Sequence, residues 1–206
     1  MVAVLFTITL IASAGVGAVN MITEDAIAEA NRQATVAAVA NVLPAFEKSE
    51  MSTMTIDEMP INIYTAVDGS GAVVGYAVET MTMSGFSGKV RMMVGFDAEG
   101  TILNVNVLEQ SETPGLGSKM CDEGNVLLAS VQGKNPANLK LKVKKDGGDI
   151  DALTAATISS RAYADAVARA YEAFKVASGA QESTDGVSGA TATHEGHDAQ
   201  EGGDNE

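Results

Sequence analysis

From Val2 to Val19 the chain carries no charged side chain, and this run limits its folds more than any other feature. Its 18 residues rise about 27 Å as a helix, enough to cross a hydrocarbon core. Ala12-Ser13-Ala14 resembles a signal-peptidase site, but no basic segment precedes the run and the polar stretch after it continues as a helix. The run is therefore read as a transmembrane anchor, residues 1–22. Thr23 is expected to cap a second helix, with Glu24 and Asp25 at its positive end, stopping before Pro44. Ile27, Ala30, Ala34, Ala38 and Val42 give this stalk, residues 23–44, a narrow apolar stripe.

Residues 45–177 read as the folded domain. "GAVVGYAVET" (71–80), "KVRMMVGF" (89–96) and "TILNVNVLE" (101–109) are strand patterns separated by the turn signals "SGFSG" and "DAEG". In the third, Leu103, Val105 and Val107 are expected on one face and Asn104 and Asn106 on the other. "LKLKVKK" (139–145) alternates as a further strand should. "DEGNVLLASVQG" reads as a short helix, and the stretch from Ser160 as a long one with Tyr163, Ala166, Val167, Ala170 and Phe174 in register. The pattern is α+β with a mostly antiparallel sheet.

Residues 178–206 hold seven of the chain's 27 acidic residues, no Lys or Arg, and little that could be buried. A disordered acidic tail is expected. The formal charge of −14 argues against nucleic-acid binding. The single Cys121 permits no internal disulfide and reads as a small or half-buried thiol. His194 and His197 make too sparse a set for a metal site, and none is expected.

Chemistry concentrates in two stretches. In "DALTAAT" (151–157), small residues lead to Thr157 at the start of the long helix, where free N–H groups and the helix dipole favour a phosphate. In "ETPGLG" (112–117), Pro114-Gly115 suits the central positions of a type II turn. These motifs, in this order behind an anchor, resemble the FMN-binding family that includes the G subunit of the Rnf electron-transport complex and the C subunit of the sodium-translocating NADH:quinone oxidoreductase. That family carries Asp-x-x-Ser/Thr-Gly-Ala-Thr, its last Thr esterified to the FMN phosphate. Asp151, Thr154, Ala156 and Thr157 match it, while Ala155 stands where Gly is usual.

The resemblance implies FMN bound covalently at Thr157, with Asp151, Thr154 and Ala156 around the phosphate. It places Glu112, Thr113, Leu116 and Gly117 beside the flavin, Leu116 packing on the ring. It further implies attachment by a flavin transferase acting on FAD, partners among the other subunits of an Rnf-type complex, and a single-pass protein of the cytoplasmic (inner) membrane with its domain on the extracytoplasmic side. The chain would then be an electron-transfer subunit of an ion-translocating ferredoxin:NAD⁺ oxidoreductase, unable to complete the reaction alone and with no catalytic residue of its own. The alternatives are a covalent-FMN carrier serving a separate extracytoplasmic reductase, or a non-redox membrane-anchored binding module. "DGVSGAT" (185–191) satisfies the full motif, which makes Thr191 a second candidate attachment point.

Overall fold

The computed structural model describes residues 2–179. Thr191, His194 and His197, and the expectation of a disordered tail, lie outside the described residues.

The anchor and stalk segments form one unbroken helix, α1 (Val2–Val42). Thr23 is therefore not a cap: its hydroxyl bonds back to the carbonyls of Val19 (2.9 Å) and Asn20 (3.3 Å) inside the helix. No residue of its apolar window is covered by the rest of the chain, whereas Ala38, Val39 and Val42 at its far end are buried against the sheet. Of the expected stripe only Ala38 and Val42 are covered; Ile27 remains exposed. An apolar window this long with nothing packed on it fits a single-pass membrane anchor. The full chain is expected to stay with membranes through a carbonate wash. A chain beginning at Thr23 keeps the docked turn and should be soluble; release of the full chain by the wash would refute the anchor.

Five strands follow: β1 (Lys48–Ile56), β2 (Met59–Val67), β3 (Val73–Gly85), β4 (Gly88–Phe96) and β5 (Ile102–Gln110). They pair in sequence order as an antiparallel sheet. The β1–β2 hairpin turns on Asp57 and Glu58, both in the left-handed region (φ 48° and 64°), and Arg169 holds Asp57 at 2.6 Å. Asp57 suits the first position of such a turn, but Glu58 stands where Gly normally announces it, so the sequence pattern does not reveal the hairpin.

After β5 come a short 3-10 turn (Gly117–Cys121), helix α2 (Val126–Val131) capped by Asn125, and the long helix α3 (Thr157–Ala177). Cys121 is exposed, not half-buried. α3 lies on one face of the sheet through Tyr163, Ala166, Val167, Ala170 and Phe174, against Ile63, Val78, Val94 and Phe96. Burial pushes the Tyr163 phenol well above its ordinary pKa. The end of α1 covers part of the other face with Ala66, Ala77 and Met93. Gly95 permits this approach, since a methyl there would run into the backbone of Val42.

Two strand readings are corrected. The pairing slips between Gly95 and Phe96, opposite Asn104 and Ile102, so Leu103 packs on the α1 side while Val105 and Val107 pack on the α3 side. Residues 139–145 form no strand. Gly147 and Gly148 fold the chain back, and residues 140–144 bond to Asp149 and Ile150 with one isolated bridge, Val143 to Ile150. The side-chain alternation persists: Val143 is buried while Lys140, Lys142 and Lys144 are exposed.

Candidate functional site

Three segments distant in sequence meet at the N-terminus of α3. The first is the β3–β4 hairpin tip, where Gly85 pairs with Gly88 around Phe86 and Ser87. The second is the loop after β5. The third is the stretch that leads into α3.

In the loop, the Leu116 amide donates to the Thr113 carbonyl at 3.1 Å and Gly115 has φ 75°, the type II turn expected for Pro114-Gly115. The turn presents Leu116 outward, and Gly117 and Met120 turn inward. At α3, Thr157 is the first helical residue. Ala156 holds the capping position without a side chain able to cap, so the first N–H groups of the helix receive no side-chain bond. The Thr157 hydroxyl pairs with no described residue. Ser160, fully buried, accepts from the Leu153 amide and donates to the Ala156 carbonyl, each at 2.9 Å, and so fastens the loop to the helix.

Between these segments lies a cavity of about 330 Å³ lined by Phe86, Thr113, Leu116, Gly117 and residues 155–159. That size falls at the low end of cofactor sites. The walls are largely apolar and open to solvent: Phe86 is 65 % exposed, Ile158 46 % and Leu116 39 %. No Lys or Arg lines the cavity among the described residues. An anionic group there would rely on backbone N–H groups and the helix dipole, which is what the uncapped helix start offers. The residues thus fit a flavin phosphate beside an apolar ring.

Of the residues singled out from sequence, Thr113, Leu116, Gly117, Ala156 and Thr157 come together in the lining. Asp151 and Thr154 do not line it. Asp151 receives Lys144 Nζ at 2.7 Å, and its amide donates to Ser130 Oγ at 2.9 Å, so it ties the loop to α2. The Lys144 ammonium holds its carboxyl below the usual carboxylate range. Glu112 is not in the lining either; it is buried behind it. Sequence reasoning missed Phe86, Ile158, Ser159 and Ser160. An aromatic residue between the glycines of "GFSG" was the only signal for any of them.

Ala155 sits in the left-handed region (φ 58°), which accounts physically for glycine at this position in the motif, because a side chain there costs ~1 kcal/mol. Ala155→Gly is accordingly expected to raise Tm by a few degrees, the relief being partly offset by the freer unfolded chain. A lower Tm by scanning calorimetry would contradict this.

The FMN-binding domain family matches residues 85–172, from the hairpin tip into α3. The chain is 35 % identical over 173 residues to the G subunit of an ion-translocating oxidoreductase complex of Shewanella amazonensis, covering 78 % of this chain and 80 % of that one. It is 30 % identical over 171 residues to the G subunit of the Na(+)-translocating ferredoxin:NAD(+) oxidoreductase complex of Acetobacterium woodii, covering 77 % and 83 %. The crystal structure of NqrC from Shewanella oneidensis aligns with TM-score 0.38 and 21 % identity over 65 % of each chain. At this identity and coverage the chain belongs to the G-subunit family of ion-translocating oxidoreductase complexes and carries its FMN-binding domain.

Proposed function

We propose that this protein is a membrane-anchored electron carrier that holds FMN through a phosphoester to Thr157 and passes electrons within an Rnf-type complex that couples their flow to ion translocation. The observation that carries this reading is the convergence of Thr157 and the 113–117 turn on one open, apolar cavity at a helix start. Thr157 would carry the phosphate, the N–H groups of the first turn would receive its oxygens, and Phe86 and Leu116 would face the ring. Bound FMN supplies one- and two-electron chemistry, which none of the lining side chains can provide. A cavity this open buries too little of a ligand to retain it tightly by contact alone. Attachment removes that difficulty and leaves the ring accessible to redox partners.

The hydroxyl of Thr157, unengaged by other side chains among the described residues, would be the nucleophile in attachment, with FAD as donor: Oγ1 would take the flavin phosphate, AMP would leave and the hydroxyl proton would be released. A dedicated flavin transferase would carry out this step. The domain would stand on the extracytoplasmic side, with the other subunits of the complex as its electron donors and acceptors.

Leu116→Asp tests the assignment of the cavity. A charge set against an apolar ring is poorly solvated, so the variant should keep its covalent flavin but show a shifted absorption band and a lowered midpoint potential. A flavinylated variant with the wild-type spectrum and potential would remove Leu116 from the site.

A further inference from the structure

Glu112 is 4 % exposed, yet both carboxylate oxygens are engaged. Oε1 accepts from the Ser87 amide at 3.0 Å, at the tip of the β3–β4 hairpin. Oε2 accepts from the hydroxyl of Ser159, in the first turn of α3. Its own amide donates to Gln110 Oε1 at 2.6 Å, which fixes the exit from β5. The carboxylate is enclosed by backbone at two glycines: a methyl at Gly85 would come within 2.7 Å of Oε1, and one at Gly117 within 2.8 Å of Oε2. Gly117 and Ser159 themselves line the cavity, so the carboxylate lies one layer behind its wall. A buried carboxylate is costly unless each oxygen has a donor. Here the donors belong to two different segments of the site, and the residue itself begins the third.

We propose that Glu112 is a positioning residue of the flavin site, its carboxylate locking the hairpin tip, the 113–117 turn and the first turn of α3 into one cavity without touching the bound group. The inference rests on the FMN reading of that cavity but assigns Glu112 a task distinct from ligand contact. Its geometry serves the cavity whether or not flavin is present. Its charge, in a poorly solvated wall, opposes the added electron density of a reduced flavin.

The test uses the full-length chain in detergent, with and without flavin, as wild type, Glu112→Ala and Glu112→Gln. Hydrogen exchange in the flavin-free protein reads the geometry. Glu112→Ala should speed exchange about tenfold at Ser87, Leu116 and Ser118, leaving β1 and β2 unchanged. Glu112→Gln should restore protection, since its amide can still accept from Ser87 and donate to Ser159. Unchanged exchange at those amides in Glu112→Ala, or a uniform increase across the sheet, would overturn the proposal. Potentiometry on the flavinylated protein reads the charge: Glu112→Gln should retain the attachment and raise the midpoint potential. Retained attachment with wild-type potential and spectrum would show that the charge of Glu112 is not felt at the bound ring and would overturn the electrostatic role, while the exchange comparison decides the positioning role. A wild-type chain that takes no flavin would sink the proposed function instead, and the exchange comparison would still decide the role of Glu112.

Discussion

Thr157→Ala should abolish the covalent flavin of the folded domain, read as loss of fluorescence on a denaturing gel and of one FMN from the intact mass. Thr157→Ser should keep both, because the attacking hydroxyl survives at the first position of α3. No other hydroxyl in the lining is placed like it. Thr113 belongs to the loop after β5, and Ser159 is buried and committed to Glu112. The effect is all or none at this position, which makes the stoichiometry informative. If Thr191 is also modified, Thr157→Ala leaves one flavin and the double variant leaves none. Full flavinylation of Thr157→Ala mapping to Thr191 alone would move the principal site out of the folded domain.

Gly95→Ala should be severely destabilising for the addition of a single carbon. A methyl at Gly95 would strike the Val42 carbonyl and come within 2.8 Å of Val42 Cβ, a backbone contact that no rotamer change relieves. Overpacking of this kind costs ~2–3 kcal/mol, near 10 °C in Tm for a domain of this size. The turn carrying Ala38, Val39 and Val42 should lift off the sheet, exposing the segment around Pro44 to protease. Gly17→Ala, where an added methyl meets nothing within 4 Å, serves as the neutral control. A Tm within a degree of wild type and unchanged proteolysis in Gly95→Ala would show that α1 does not dock as described.

What could be read from sequence followed from how locally each feature is encoded. Strands β3 to β5, helix α3 and the type II turn announce themselves through periodicity and through Pro114-Gly115. The β1–β2 hairpin does not, because Glu58 supplies positive φ at the position where such a turn usually has Gly. Residues 139–145 have a strand's alternation but no partner strand, and pattern alone cannot tell a ladder from a folded-back loop. At the site, motif residues indicated where the cavity would form but not the task of each. Asp151, foremost in its motif, serves α2 and Lys144. Glu112 stands behind the wall, and Ser159 carried no signal, since its partner is 47 residues away in sequence.

The unbroken course of α1 ties height to heading. Each residue of a helix adds 1.5 Å of length and about 100° of rotation, and no flexible joint interrupts α1 between the apolar run and its docked last turn. Seven inserted residues would raise the domain ~10 Å and leave it facing nearly the same way; two would raise it ~3 Å and swing the cavity to the far side of the helix axis. For the proposed carrier, which would have to meet fixed neighbours, the residue count of α1 is a compass bearing as much as a distance.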